Sequence, residues 1–209
     1  RDTLGRAHGA QVRNETLRLN EVKNMVLDWS EGDEKHPRLF LSRAEIEEMW
    51  ERFREEQPEY VKKLIQRGRV FRRGTQPTPN YHPKQAVSAY LASGGDPQLA
   101  EDLRLVEGLK WQIGLLGKFD RMRATNALAT QYDVLIDSGL IDDATRRELR
   151  AQMALVAYQL ADPATWSMER GYRSYNPNMS ISYTLGLGVV ACLLRDHPMS
   201  EKWLNPRCV

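Results

Sequence analysis

The 209-residue sequence lacks most of the features that announce a function at sight. It has two cysteines, Cys192 and Cys208, too few for a disulfide framework. Cys192 falls on an apolar helical face, where a thiol usually packs, so a bridge between the two is not expected and the redox compartment stays open. The four histidines (His8, His36, His82, His197) are scattered and none is paired at helical spacing, so no transition-metal site is expected. No apolar run reaches the ~20 residues of a membrane-spanning helix; the longest lies around Leu185 to Leu194. The opening Arg1-Asp2-Thr3-Leu4-Gly5 has no apolar signal core, which suggests an intracellular chain or one whose signal has been removed. The formal charge of +2 is too small for a dedicated nucleic-acid binder. Gly186-Leu187-Gly188 sits inside an apolar helical pattern and lacks the third glycine of a nucleotide fingerprint, so it reads as packing.

What is present is an ordinary globular composition, 41% hydrophobic and 28% charged, with length for one good-sized core. The periodicity is helical throughout, and no stretch alternates with strand period over any length. Residues 14–29 place Leu17, Leu19, Val22, Met25, Val26 and Trp29 at mostly helical spacing. A polar break follows, then His36-Pro37-Arg38-Leu39-Phe40-Leu41 as a short extended apolar anchor. Ser42 and Glu45 form a capping box ahead of a helix carrying Ile46, Met49, Trp50 and Phe53. Pro58 fits the first turn of the next helix. Residues 67–81 read as a loop, residues 82–93 as a helix ended by Gly94-Gly95, and one helix runs from Asp96-Pro97 to about Leu116. Residues 123–138 are helical up to Gly139. Asp142 or Asp143 caps a helix that stops at Asp162-Pro163. Residues 170–178 are a second irregular segment before the apolar helix 179–194, whose Gly186 and Gly188 suggest close packing. Short connections favour antiparallel hairpins. The expected architecture is all-α: residues 1–35 as an arm, and 36–209 as helix hairpins forming part of an incomplete (α/α) toroid.

Three groups of residues carry candidate chemistry. Arg67, Arg69, Arg72 and Arg73 make a local cationic patch suited to carboxylate or sulfate, or a solvated loop. Tyr172, Arg173, Tyr175 and Asn178 gather just before the apolar helix. Asn178 is either the cap of that helix, or it turns its amide into a cleft where an anion would also meet the positive helix end. Asp133 sits one step from an apolar stripe. It is expected to be solvated or paired with Arg121 or Arg123, and it has no second inward acid to complete a glycosidase pair.

Three separated pieces of the chain bear a resemblance. His36 to Ile46 resembles the opening segment of the heparinase II/III-like and alginate-lyase polysaccharide lyases. Gln131 to Arg146 is similar to a helix-turn-helix of their toroids. Tyr175-Asn176-Pro177-Asn178-Met179 is similar to the place where they set a substrate-binding asparagine. The resemblance implies β-elimination on uronate-containing acidic polysaccharides, without cofactor or metal, in a secreted or periplasmic protein with no nucleic-acid or membrane partner. It makes Asn178 the residue that neutralises the substrate carboxylate, and Arg69, Arg72, Arg73, Tyr172, Arg173 and Tyr175 candidates for substrate binding. Many members carry histidine after the asparagine; here Met179 follows. The family's catalytic tyrosine comes from a later toroid helix, and a β-sandwich supplies further residues. By this reading the chain is a lyase fragment, inactive alone, whose partners include the rest of its own toroid and a β-sandwich. An α/α-toroid glycoside hydrolase would need a carboxylate pair, and a non-enzymatic helical scaffold would need only an exposed groove.

Overall fold

The computed structural model describes residues 24–32, 35–70, 83–116, 124–162, 166–167, 171–172 and 177–205. Among these, nine helices occur in the order α1 (Arg43–Glu56), α2 (Pro58–Val70), α3 (Pro83–Ala92), α4 (Pro97–Asp102), α5 (Leu105–Gly114), α6 (Thr125–Leu135), α7 (Asp143–Ala161), α8 (Pro177–Leu193) and α9 (Ser200–Leu204). The chain is all-α. The exception is a two-residue antiparallel ladder, β1 (Trp166–Ser167) with β2 (Gly171–Tyr172), which pairs Trp166 with Tyr172 and Ser167 with Gly171. It falls in a stretch where the sequence showed no strand period.

The chain divides into two compact units. One comprises Arg1–Glu34, Ile113–Thr130 and Asp143–Val209; the other comprises Lys35–Gln112 and Gln131–Asp142. In the second unit α1, α2 and α3 pack on one another and α4 packs on α3. Their core includes Ile46, Val61, Val87, Ala89, Leu99, Leu103, Leu105 and Leu109. In the first unit α7 and α9 pack on α8, burying Met153, Val156, Leu160, Tyr183, Leu187, Val190 and Trp203.

Local chemistry explains most helix ends. The Ser42 hydroxyl accepts from the Glu45 N–H, and the Glu45 carboxylate accepts from the Ser42 N–H at 2.7 Å. The Ser42 hydroxyl also donates to the Glu45 carboxylate at 2.7 Å, and this bond, with the one from the Ser42 N–H, holds the Glu45 carboxyl below its ordinary range. Asp96 caps α4 by accepting from the Gln98 N–H at 2.9 Å, with Pro97 in the first turn. Gly94, Gly95 and Gly139 all have φ near +80°, the left-handed region that glycine enters freely.

Several expectations are corrected. The loop placed at residues 67–81 begins later, because α2 runs to Val70. Gly68 explains the extension: a Cβ there would meet the Ala89 Cβ at 2.8 Å, so the missing side chain lets α2 lie close against α3. The single helix from Pro97 to about Leu116 is two helices, α4 and α5, broken at Arg104 with φ +47°. Leu103 and Leu105 are both buried, yet two residues along an unbroken helix would point them to nearly opposite sides. The break lets both face the core.

Residues 24–32 are not helical. Met25, Leu27 and Trp29 turn partly inward, whereas Val26, Asp28 and Ser30 are exposed, an extended alternation. Residues 14–23 lie outside the described residues. Of the helical glycines, Gly186 does meet a neighbour, Thr125 Cβ at 3.1 Å from an added Cβ, and Gly188 meets nothing within 4 Å. Cys192 is a free thiol and exposed, not packed; Cys208 lies outside the described residues.

Candidate functional site

Asn178 is the second residue of α8, not its cap, because the helix already begins at Pro177. It is exposed, and its carbonyl accepts from the Ser182 hydroxyl at 2.8 Å, an ordinary backbone interaction one turn on. The helix behind it is apolar over its 17 residues, with Tyr183, Leu187, Val190 and Leu193 buried. Tyr172 stands in β2 opposite Trp166. Arg69 lies in the last turn of α2 instead of a loop, and only its backbone is described. Arg72, Arg73, Arg173 and Tyr175 lie outside the described residues. Asn178 belongs to the first compact unit and Arg69 to the second.

Asp133 departs furthest from its expected place. It is buried, not solvated, and its partners come from the segment before α1. Its carboxylate lies 2.6 Å from His36 Nδ1 and accepts from the backbone N–H groups of Arg38 at 3.0 Å and Leu39 at 2.9 Å. The exposure of both the His36 and Asp133 side chains is 2%. Asp137, one turn later, accepts from the His36 N–H at 2.7 Å. A buried carboxylate needs this many donors, since taking the charge out of water costs several kcal/mol otherwise. The expected apolar anchor is therefore a polar one: Phe40 and Leu41 are 68% and 40% exposed, and His36 is enclosed.

The first unit holds its own irregular segment through a second carboxylate. Asp196 accepts from Trp29 Nε1 at 3.1 Å, from the Gly32 N–H at 3.1 Å and from Arg150 Nη2 at 2.6 Å. Arg150 also lies over the Trp29 ring, 4.2 Å from its centroid, and contacts Glu31 at 3.1 Å. Glu31 pairs with Arg146 at 2.6 Å. His197 stacks on Trp203 at 4.5 Å, meets Trp29 and Tyr158 edge-on, and contacts the Val26 carbonyl through Nε2 at 2.8 Å. Its Nδ1 accepts from the Met199 N–H, so Nε2 carries the proton. Burial, the largest influence, pushes the His197 pKa below that of a free imidazole. Burial pushes Asp196 the other way, up, but the Gly32 N–H, Arg150 and the Trp29 indole together hold it below the ordinary carboxylate range.

The second unit carries an open pocket of about 520 Å³ along α1. Arg43, Glu47, Trp50, Glu51 and Arg54 line one wall, with Tyr90 and the turn Gly94-Gly95 among the residues facing them. Neither of its two arginines is paired with a carboxylate among the described residues. Arg43 donates to the Val134 carbonyl at 2.8 Å and Arg54 to the Leu91 carbonyl at 3.3 Å. Trp50 Nε1 is buried without an acceptor among the described residues. Burial pushes the Tyr90 hydroxyl up, against the opposing pull of Arg43 and Ser138. In the sequence Trp50 read as part of an apolar stripe. The overlooked signal was the polar register 43, 47, 50, 51, 54, which returns to one helix face.

Among the described residues no cluster of His, Cys, Asp and Glu could hold a metal ion, and no helix is long and apolar enough to cross a membrane. Compared with family models, curated proteins and solved structures, the chain has no match.

Proposed function

We propose that this chain is the helical, carboxylate-binding part of a polysaccharide lyase that cleaves uronate-containing acidic glycans by β-elimination, its hairpins forming part of an (α/α) toroid. The observation that carries the reading is the setting of Asn178, an exposed amide in the first turn of a 17-residue apolar helix. The first-turn N–H groups and the positive helix end favour an anion there, and the amide adds a directional donor. The resemblance of the Tyr175 to Met179 stretch gives that anion an identity, the C5 carboxylate of a uronic acid.

The chemistry asks for this donor set. A base removes the C5 proton, the C4–O bond breaks, a C4=C5 double bond forms, and the departing oxygen takes up a proton. Charge builds on the C5 carboxylate as the proton leaves, and a neutral amide beside it stabilises that charge more in the transition state than in the substrate. Asn178 serves this step. Tyr172, Arg173 and Tyr175, next to Asn178 in the chain, are proposed to bind the rest of the glycan. Met179 stands where many members carry a histidine base, so the chain alone is proposed to bind substrate without turning it over. Polymers of this kind lie outside the cytoplasm, which makes a secreted or periplasmic setting part of the proposal.

Binding of alginate, heparan sulfate and glucuronan to the wild type and to Asn178→Ala tests the reading. A loss of about tenfold or more on at least one glycan supports it. Equal binding of every glycan by the two proteins removes Asn178 from the site.

A further inference from the structure

The pocket along α1 plays no part in the reading of Asn178, and its chemistry is distinct. Residues 43 and 54 are eleven apart, just over three helical turns, so the two arginines mark the ends of a groove about 16 Å long on one face of α1. Its volume, about 520 Å³, falls within the roughly 300–1,000 Å³ of small-molecule sites. Both guanidinium groups are tethered by a single backbone carbonyl, which fixes them and leaves most of their donors unused. Between them Trp50 lines the wall.

The charges along the groove select the ligand. Three carboxylates, Glu47, Glu51 and Asp137, line it against two guanidinium groups, so a polyanion would meet net repulsion. An apolar ligand would strand these charges out of water. A sugar without charge suits them: its C–H face packs on an aromatic ring, its vicinal hydroxyls donate to carboxylates, and the same oxygens accept from planar guanidinium groups. The fixed turn Gly94-Gly95 opposite, with no side chains, leaves the rim open to an extended ligand.

We propose that this groove is a binding site for a short neutral saccharide, separate from the proposed uronate site and independent of it. Trp50 supplies the stacking surface, Glu47 and Glu51 accept hydroxyl protons, and Arg43 and Arg54 bound the two ends. The test is a titration of the full chain with cellotriose and with the matching glucuronate trisaccharide, followed through the Trp50 indole N–H resonance. That resonance is assigned by its disappearance in Trp50→Phe. A saturable shift with cellotriose at a Kd of about 1 mM, and a weaker response to the glucuronate, is expected. Glu51→Gln, at an exposed position that leaves the fold intact, weakens cellotriose binding about tenfold, and Arg54→Gln does likewise. No saturable shift at tenfold higher concentration, equal or tighter binding of the glucuronate, or unchanged binding by both variants each overturns the proposal.

Discussion

Asp133 and Asp196 do the same job in the two compact units by different means. Each pins an irregular segment from the N-terminal side of the chain onto helices far away in sequence. Asp133 gathers His36 and two backbone N–H groups in an enclosed place, with both side chains 2% exposed. Asp196 gathers a guanidinium, an indole and one backbone N–H, and it keeps 11% of its side chain in contact with solvent. Arg150 has a second carboxylate in Glu31, so losing Asp196 leaves it still paired. The donors around Asp133 include two backbone N–H groups, which cannot turn away as a side chain can. The enclosed anchor is therefore the brittle one, and the shared network holds Asp196 and its neighbour His197 at lowered pKa values.

Asp133→Ala strands those donors and should cost roughly 3–5 kcal/mol, the largest effect in the molecule, read as a fall in the urea midpoint at unchanged slope. A loss under about 1 kcal/mol would show that the segment 36–41 is not held by this carboxylate.

Two glycines make a second contrast. Gly68→Ala forces its Cβ against Ala89, a contact with no flexible end to yield, and should destabilise by about 1–3 kcal/mol despite the better helix propensity of alanine. Gly188→Ala meets nothing within 4 Å and should stabilise by up to about 1 kcal/mol. Thermal unfolding of the pair reads both signs in one experiment.

Asp196→Asn keeps the shape and should cost about 1–2 kcal/mol, less than Asp133→Ala. The same network sets the pH response. The folded pKa of His197 lies below the 6.5 of a free imidazole, so as pH falls the unfolded chain takes up its proton first. Stability from this group is full above pH 6.5 and declines as pH drops from there toward the lowered folded value. Asp196, also lowered, contributes above its ordinary 3.8 and loses that contribution as pH falls through the folded value. Chemical unfolding between pH 8 and 3 should show two declines, and His197→Gln should abolish the first and keep the second. A single acid step in both proteins would assign the upper decline elsewhere. Ser42→Ala is the mildest change, about 1 kcal/mol, confined to the first turn of α1.

Signals that act within a few residues were legible in the sequence. The Ser42 and Glu45 box, Asp96-Pro97 and Gly94-Gly95 each set an element end by local hydrogen bonding or backbone freedom, whereas the helix expected to run to Gly139 stops at Leu135. Long-range partners were not legible. Asp133 read as a surface acid because its donors lie about 95 residues earlier, and residues 24–29 read as helix because their ties to Tyr158, Asp196 and His197 leave no local mark. At the candidate site, the place of Asn178 ahead of an apolar helix was legible to within two residues. The groove along α1 was not, since Trp50 serves a core stripe and a pocket wall with the same side chain.

The central claim is that Asn178 recognises a substrate carboxylate. Calorimetric binding of an oligouronate and of its carboxyl-reduced counterpart, to the wild type and to Asn178→Ala, tests it as a cycle. The account predicts that Asn178→Ala weakens oligouronate binding about tenfold and leaves binding of the reduced sugar unchanged. An equal loss on both ligands, or no loss on either, would contradict it.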